Sequence, residues 1–378
     1  MASHNPYHFG SPADDVHFTD RESELHKIKT LMLNGQNLVL IAPRRYGKSS
    51  LLRRALKDVS AKDARAGRVS LIRCSSERDV AETLLRGVLD GPLGWLRRHA
   101  EDLSRYLRTF RIQPEISVDP ATGLFSASFA VGAAGMDWPQ AITDTIRLLG
   151  TASDGAHPVA MILDEFQKAY EISSAIPDLM KDLVDELPDV SFVFAGSKRH
   201  VMEAMVNDPA RGALYNIGDK LYLQAIPMEQ FSKYLIARAA FGRKSMSRAV
   251  AESLYEAAIG VPNDVQLLAF WAYDGAGKAI EETDVRLALH TAMVDRGDEF
   301  RSLFDGLSLS QQLLLKMIAD QKVGQLSGAD VRRFLGVSHT SARQAGDGLQ
   351  RLELIQNRAG RWEVTSGLLK AWLVGDVE

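Results

Sequence analysis

The stretch LVLIAPRRYGKSSLL, residues 38–52, places an apolar run directly before the motif A-P-R-R-Y-G-K-S. A continuous apolar run is typical of a parallel strand that is buried on both faces. The motif fits the phosphate-binding pattern G-x-x-x-x-G-K-[ST], except that Ala42 stands where the pattern has its first glycine. The stretch therefore predicts a buried strand, a phosphate-binding loop and a helix in succession.

The loop residues suit phosphate binding for separate reasons. Backbone N–H groups between a strand and a helix N-terminus surround phosphate oxygens. Gly47 lets the main chain come close, Lys48 supplies a point charge and Ser49 supplies a hydroxyl for Mg²⁺. The alternative is a Gly-Lys-Ser sequence that occurs in a loop by chance. The residues expected to bind nucleotide are Ala42, Pro43, Arg44, Arg45, Tyr46, Gly47, Lys48, Ser49 and Ser50.

The extra methyl group of Ala42 affects only the turn out of the strand. If its φ angle is negative the methyl costs little, and if φ is positive the cost is on the order of 1 kcal/mol. Pro43 favours an extended backbone at Ala42, which is compatible with the end of a strand.

Two acidic residues, Asp164 and Glu165, follow a second apolar run at 159–163. We expect Asp164 to hold Mg²⁺ through water, and Glu165 to orient the water that attacks a γ-phosphate. The alternative is an ordinary solvated strand end. Ser197 follows a third apolar strand, 191–195, and is expected to sense the γ-phosphate between the other two motifs. The predicted catalytic residues are therefore Glu165, Lys48 and Ser197, and the predicted metal ligands are Ser49 and Asp164.

Strands alternate with helices up to about residue 225, which predicts parallel βαβ units and an α/β fold. Further strands are expected at 69–73 and 221–223, and a helix capped by Thr19 or Asp20 precedes the first strand. An insertion at 91–135 combines a basic segment with a β-hairpin around residues 120–123. The first predicted domain is 1–225.

The remainder of the chain shows two further patterns of predicted secondary structure. Helices alone are predicted at 227–240, 246–259, 262–274 and 282–301, which gives a helical lid domain at 226–303. Helices at 308–320, 327–335 and 339–352, followed by two short strands, have the order of a winged helix-turn-helix, at 304–378.

The composition is that of a globular protein of two or three domains, with 378 residues, 46% hydrophobic and 25% charged. A net charge of −3 excludes recruitment of nucleic acid by the field of the whole molecule. Cys74 is the single cysteine, which excludes an internal disulfide and suits a buried hydrophobe. The chain has no 18-residue apolar run and no signal-peptide pattern, so we expect a cytoplasmic protein without a membrane partner.

Several motifs in order resemble the prokaryotic and archaeal ATPases of the STAND clade of the AAA+ group. They are FTDRESEL, APRRYGKSSLL, ILDEFQ, FAGSKRHVMEAM, Gly260-Val261-Pro262 and the terminal winged helix. The resemblance implies a P-loop NTPase sheet of the ASCE/AAA+ type, a helical lid, and binding of ATP or ADP with Mg²⁺. It also implies that Arg21, within Asp20-Arg21-Glu22, lies near the adenine, and that Pro262 brings the lid onto the base. The loop of this family often reads G-P-R-R-x-G-K-[ST], so Ala42 is a departure.

Fast hydrolysis in many oligomeric P-loop enzymes needs an arginine from a neighbouring subunit. The expected region, 207–223, offers only Arg211 and Lys220, and neither falls on a motif. Slow turnover, as in a switch, therefore fits better than a motor.

The predicted third helix of the winged helix offers His339, Thr340, Arg343 and Gln344 as DNA contacts. Residues 304–378 contain nine Lys/Arg against eight Asp/Glu, which is weak for a phosphate-driven binder, and Gly346 and Gly348 lower the helix propensity. A packing or partner-binding module is equally open. The arginines at 97, 98, 105, 108 and 111 form either a solvated face or a nucleic-acid face.

Three functions follow from these patterns. The favoured one is a slow Mg-dependent ATPase that acts as a nucleotide-operated switch. The second is a DNA-binding regulator or replication-type loader that uses the winged helix. The third is a protein-interaction scaffold that binds nucleotide without useful hydrolysis. A protein partner, DNA and a nucleotide-dependent homo-oligomer are therefore all open.

Overall fold

The computed structural model describes residues 5–13, 15–94, 114–118, 125–129, 137–210, 212–320, 323–358 and 360–375. The chain divides into two compact units. The α/β unit contains Arg21–Arg44 and Lys48–Gln224, and the helical unit contains Met1–Asp20, Arg45–Gly47 and Ala225–Glu378. The predicted three domains, with boundaries at 225/226 and 303/304, remain a prediction.

The α/β unit alternates strands and helices, as predicted. Its elements in chain order are α1 (Glu22–Leu33), β1 (Leu38–Ile41), α2 (Lys48–Ser60), β2 (Arg65–Ser70), α3 (Glu77–Asp90), β3 (Pro114–Val118), β4 (Phe125–Phe129), α4 (Trp138–Ala152), β5 (Val159–Asp164), α5 (Gln167–Ile172), α6 (Ala175–Glu186), β6 (Val190–Gly196), α7 (Arg199–Asn207) and β7 (Asp219–Tyr222).

Five of these strands form one sheet in the order β2-β5-β6-β1-β7, and every pair is parallel. Strands β1, β5 and β6 are buried along their whole length, which explains their uninterrupted apolar sequences. Helices α3, α4 and α6 contribute Val80, Ile146 and Met180 to the core around the sheet. The predicted α/β fold with a parallel sheet is confirmed.

Strand β2 begins and ends earlier than the predicted 69–73. Its sequence, Arg-Ala-Gly-Arg-Val-Ser, mixes charged and small residues, so it lacks the apolar run that marks the central strands. Gly67 explains part of this pattern, because a Cβ there would lie 2.6 Å from Cδ of Pro92. Cys74 is buried, as predicted, but it lies in the turn after the strand.

Helix α1 is not capped as predicted. Its N-cap residue is Arg21, which has a left-handed backbone (φ 78) and makes no side-chain cap hydrogen bond. The predicted hairpin is present as an antiparallel pair of β3 and β4, with Ile116 opposite Ala127. Its turn and the basic segment with arginines 97, 98, 105, 108 and 111 lie outside the described residues.

The helical unit has more elements than its sequence indicated. They are α8 (Met228–Phe241), β8 (Ser245–Met246), α9 (Arg248–Ala257), α10 (Pro262–Gly275), β9 (Ala279–Ile280), α11 (Glu282–Asp295), α12 (Gly297–Asp305), α13 (Leu309–Asp320), α14 (Ala329–Leu335), α15 (His339–Arg351), β10 (Ile355–Arg358), β11 (Arg361–Val364) and α16 (Gly367–Val374). The single helix predicted at 282–301 is two helices, because the chain leaves helical geometry at Arg296. A short parallel pair, β8 and β9, and the last helix, α16, were not predicted.

Helices α13, α14 and α15 are followed by the antiparallel hairpin β10–β11, in the predicted order. The glycines of α15 serve packing. A Cβ at Gly346 would lie 2.6 Å from Leu326, and a Cβ at Gly348 would lie 2.2 Å from the Gln311 side chain. The low helix propensity of these glycines is therefore the cost of a close approach between neighbouring segments.

One hydrophobic core runs through the helical unit and includes residues from both ends of the chain. Tyr7 is buried in it, and its hydroxyl donates to the Leu235 carbonyl at 2.7 Å. Arg238 donates to the carbonyl of Pro6 at 3.0 Å. Leu368 and Leu369 of α16 belong to the same core. Within the described ranges, no helix has the length and apolarity needed to cross a membrane.

The contact between α3 and β2 depends on a glycine. A Cβ at Gly87 would lie 1.9 Å from Cγ1 of Val69. We expect Gly87→Ala to destabilise the α/β unit by about 1–3 kcal/mol, because the methyl forces the helix away from the strand. Gly94→Ala is the matched control, because the nearest atom to its Cβ would be 3.9 Å away. Urea denaturation measures both variants, and equal midpoints would contradict the packing argument.

Candidate functional site

The ends of three neighbouring strands bring the predicted motifs together. Strand β6 lies between β5 and β1, with Ala195 opposite Asp164 and Gly196 opposite Ile41. All three strands are parallel, so their carboxyl ends meet at one edge of the sheet. Asp164 and Glu165 therefore lie beside Ser197, and α2 begins with Lys48 near the same edge.

Lys48 joins the two acidic residues. Its side chain is 6% exposed, and its Nζ donates to Oδ1 of Asp164 and, at 2.7 Å, to Oε1 of Glu165. These two residues lie 116 and 117 positions away along the chain. The structure thus places the Lys48 ammonium, which was predicted to bind phosphate, between two carboxylates. One of them, Asp164, was predicted to hold Mg²⁺, and the other, Glu165, to orient water.

Asp164 has a second basic partner, Arg68, which sequence analysis missed. Nη2 of Arg68 donates to Oδ2 of Asp164 at 2.5 Å, and the backbone N–H of Glu165 donates to Oδ1 at 2.9 Å. Asp164 is 2% exposed. The prediction of β2 at 69–73 left Arg68 outside the strand. In the observed register, Arg68 pairs with Ile162, two residues before Asp164.

Glu165 has a left-handed backbone (φ 56), which is uncommon for a residue with a side chain. Its Oε2 accepts hydrogen bonds from Ser197 Oγ at 2.7 Å and from Gln167 Nε2 at 2.5 Å. Residues in such conformations persist when surrounding contacts fix them, and they cluster at functional sites. Gln167 was missed as a site residue, although it ends the motif ILDEFQ.

Both carboxylates are held ionised. Burial by itself raises the pKa of Asp164, but Lys48 and Arg68 outweigh it and hold the pKa below its ordinary value. Burial likewise raises the pKa of Glu165, and the charge of Lys48 with hydrogen bonds from Gln167 and Ser197 produces a net lowering. The edge of the sheet therefore holds two charged acids and two charged bases in a buried cluster.

The first part of the predicted phosphate loop follows β1. Ala42 is fully buried, its N–H donates to the Gly196 carbonyl at 3.1 Å, and it is not among the residues with positive φ. The methyl group therefore meets no backbone strain in place of the usual glycine. Pro43 is half-buried and Arg44 is exposed, and Ser49 and Ser50 lie in the first turn of α2.

The middle of the loop, Arg45–Gly47, groups by its contacts with the helical unit. Arg45 (φ 69) and Gly47 (φ 85) are left-handed, and Tyr46 is buried. Within this unit the Arg45 carbonyl accepts from the N–H of Asn263 at 3.3 Å, and Nη1 of Arg45 lies 3.6 Å from Oδ1 of Asp264. Burial raises the pKa of Asp264 even though Arg45 opposes the shift. Asp264 is a third residue, after Arg68 and Gln167, that sequence analysis missed.

The two residues assigned to the adenine by resemblance have different surroundings. Arg21 is 5% exposed, and it donates to Glu24 at 2.9 Å and to the Gln224 carbonyl at 2.5 Å. Pro262 is buried at the start of α10. Gly260 (φ 73) precedes it, and a Cβ there would lie 2.5 Å from the Tyr255 hydroxyl. Contact of Arg21 or Pro262 with a base remains a prediction.

Other basic residues near the motifs have partners in the fold. Lys198 pairs with Glu171 at 2.5 Å, and Arg199 pairs with Glu203 at 2.8 Å. These pairs favour ordinary surface charge over phosphate contact for both residues. Lys220 donates to the Val206 carbonyl and to Asn207, at 2.8 and 2.9 Å. Lys220 therefore holds α7 against β7. Arg211 lies outside the described residues.

The donor set fits Mg²⁺ with a nucleotide. Mg²⁺ binds through one or two protein oxygens together with substrate phosphates and water, so it does not require a cage of acids. Asp164 supplies a carboxylate and Ser49 a hydroxyl. In the part of the chain that the structure describes, no group of three or more His, Cys, Asp or Glu side chains could hold a metal ion.

No protein-family model matches the chain, and no curated protein matches it. Solved structures do. A Walker-type ATPase of Pyrococcus abyssi has a TM-score of 0.69 at 14% identity, over 97% of this chain and 99% of that one. The ORC2 protein of Aeropyrum pernix, in ADPNP–ADP complexes, has a TM-score of 0.58 at 15% identity, over 96% and 94%. The chain has the fold of a P-loop ATPase of the AAA+ type.

P-loop ATPases in general use a loop lysine and a strand-end acid to meet phosphate and metal. For Lys48, Asp164 and Glu165 these roles remain predictions. The likeness covers nearly the whole of each chain, so the fold extends through both units. The identities of 14% and 15% leave the roles of individual residues to be argued from their contacts.

Lys48→Met tests the buried ion cluster. We expect it to destabilise the nucleotide-free protein at pH 7 by about 2–4 kcal/mol, because it leaves two buried carboxylates with less positive charge. The pKa values of Asp164 and Glu165 lie below the ordinary range in the folded state, so their stabilisation is present above the unfolded pKa and is lost as pH falls through the folded values. The difference between wild type and variant should therefore narrow below about pH 4.

Lys27→Met is the control, because Lys27 pairs with Asp219 at 2.8 Å on the surface. Its expected effect is about 0–1 kcal/mol. Denaturation curves at several pH values measure both variants. A deficit in Lys48→Met that is the same at pH 7 and pH 3 would contradict the ionised cluster.

Proposed function

We propose that the chain binds ATP with Mg²⁺, hydrolyses it slowly and acts as a nucleotide-operated switch. The observation that carries the proposal is the position of Lys48 Nζ, between Asp164 and Glu165 at the carboxyl edge of a parallel sheet. Membership of the STAND clade and a cytoplasmic location, both indicated by the sequence, are part of the same proposal.

Nucleotide binding exchanges the partners of Lys48. In the structure, the ammonium of Lys48 neutralises Asp164 and Glu165. With ATP bound, Lys48 would donate to β- and γ-phosphate oxygens, and Asp164 and the Ser49 hydroxyl would hold Mg²⁺. The metal supplies charge neutralisation on the phosphates when it is bound.

Hydrolysis depends on Oε1 of Glu165, the carboxylate oxygen that Lys48 releases. Once Lys48 has moved to the phosphates, Oε1 of Glu165 is available to accept a proton from water. The water oxygen bonds to the γ-phosphorus, and the bond from that phosphorus to the β–γ bridging oxygen breaks, which yields ADP and phosphate. Lys48 stabilises the negative charge, and Ser197 lies beside Glu165 to sense the γ-phosphate.

A switch requires two arrangements of the same groups. The ion cluster provides one, in which positive and negative side chains satisfy each other. The nucleotide-bound arrangement provides the other, in which Lys48 and Asp164 have external partners and Oε1 of Glu165 faces water. Slow hydrolysis is the sequence-based part of this proposal. Lys220, one of its two candidates for a catalytic basic residue, is engaged with Val206 and Asn207 of its own chain.

Glu165→Gln tests the proposed base. We expect ATP hydrolysis to fall about 100-fold or more, because the amide accepts no proton from water. Binding of ATP should persist, whereas Lys48→Ala should lose it. Fluorescent-nucleotide titration and phosphate release measure the two properties. Glu186→Gln is the control, because Glu186 pairs with Arg147 at the surface. Unchanged turnover in Glu165→Gln would refute the assignment of the base.

A second candidate function, DNA binding, is favoured by the exposed face of α15. Ser338 caps this helix by accepting from the N–H of Ser341 at 3.2 Å. Arg332, Arg333, Arg358 and Arg361 of the neighbouring α14 and hairpin are also exposed. Arg343 lies 3.9 Å from Asp347, which weakens its positive field. The predicted contacts His339, Thr340, Arg343 and Gln344 are all exposed on α15.

If α15 reads DNA, Arg343→Ala should weaken binding of duplex DNA at low salt and reduce the salt dependence of the affinity. Arg248→Ala removes an exposed arginine from another helix of the same unit and should change neither. Fluorescence anisotropy at two salt concentrations gives both quantities. Equal behaviour of the two variants would exclude α15 as a DNA-reading helix.

A further inference from the structure

Gln167 occupies a position for which packing alone gives no reason. It is the first residue of α5 and is 1% exposed. Its Nε2 lies 2.5 Å from Oε2 of Glu165 and 3.5 Å from Oγ of Ser197. Its Oε1 is buried and, among the described residues, has no hydrogen-bond partner.

The orientation of the amide is decided by its neighbour. An ionised carboxylate only accepts hydrogen bonds, so the group that faces Glu165 is the NH₂ of the Gln167 amide. This orientation leaves Oε1 without a donor. A buried polar atom without a partner costs free energy, and such groups in native proteins call for a functional reason. The side chain therefore pays a cost in stability in order to donate to Glu165.

Space for the amide depends on Gly196, the last residue of β6. A Cβ at Gly196 would lie 2.6 Å from Oε1 of Gln167 and 2.4 Å from Sδ of Met202. Phe166, next to Gln167, is 1% exposed and packs edge-on against Phe194, with ring centroids 4.8 Å apart. The start of α5 is thus packed against β6, and the Gln167 amide occupies the space that the missing side chain of Gly196 leaves.

The two oxygens of Glu165 have separate partners. Oε1 is held by Lys48, for which the phosphates would compete, whereas Oε2 is held by Ser197 and by Gln167, which is 1% exposed. We infer that Gln167 is a positioning residue that, together with Ser197, fixes Oε2 of Glu165 so that Oε1 faces the attacking water when Lys48 leaves. This inference rests on the proposed function of Glu165 as the base.

Positioning has a specific kinetic signature. A carboxylate held by one oxygen keeps a single orientation, and groups that orient a catalytic side chain affect the chemical step more than binding. Among the described residues, the side-chain amide of Gln167 donates to the proposed base, Glu165, and to Ser197. Its loss should therefore lower kcat without weakening nucleotide affinity.

The test uses the full chain with Gln167→Leu, which keeps the volume roughly and removes the donor. We expect kcat for ATP hydrolysis to fall about 10- to 100-fold, with the Kd for ATP changed by less than about threefold. In the Glu165→Gln background, the same substitution should cause no further loss, because the group that it positions is already absent. If Gln167→Leu does not fold, Gln167→Asn is used instead, because it retracts the donor by one methylene. It should likewise lower kcat while leaving the Kd for ATP nearly unchanged.

Gln140→Leu is the matched control. It also removes an amide that donates to a carboxylate in the α/β unit, at 2.6 Å to Asp144, and it should leave kcat unchanged. Loss of ATP affinity and thermal stability in proportion to kcat, or a further loss in the Glu165→Gln background, would overturn the inference. If Glu165→Gln itself keeps full turnover, the proposed function fails. If Glu165→Gln is inactive and both Gln167 variants are fully active, only the positioning role fails.

Discussion

The site depends on one interaction, the ammonium group of Lys48 placed between two carboxylates with little access to water. Each of these charges would be costly if buried alone, and removal of one partner leaves the others uncompensated. The cluster is therefore stable only while every charge has a counterpart. A triphosphate with a divalent cation is one of the few ligands that can replace both kinds of partner at once, since it brings negative and positive charge together.

The sheet confines the proposed exchange of partners to one place. Because β1, β5 and β6 are parallel neighbours, the lysine, the two acids and the serine arise from three chain segments that end at one edge. Arg68 extends the cluster to a fourth strand, so Asp164 has a basic partner besides Lys48. The left-handed backbone at Glu165 lets Asp164 and Glu165, although consecutive, both reach the same ammonium group.

The parts of the site that could be predicted are those where one physical demand fixes several residues in a row. A strand buried on both faces must be apolar throughout, so β1, β5 and β6 and the motifs that follow them were evident. Strand β2 carries two arginines and a glycine, so its bounds were misplaced and Arg68 was overlooked. The role of Gln167 depends on where α5 starts and on the absence of a side chain at Gly196. Those are three-dimensional facts that no spacing along the chain encodes.

The discontinuity of the helical unit has a consequence for how the protein folds. The Tyr7 hydroxyl meets its acceptor 228 residues later, so the core around it closes only after the whole α/β unit has been made. During synthesis, domains generally form in order from the N-terminus, and contacts of such long range form slowly. The first segment of the helical unit therefore emerges from the ribosome early and stays without its core while the entire α/β unit forms. Until then, the Tyr7 side chain remains exposed to chaperones and to self-association.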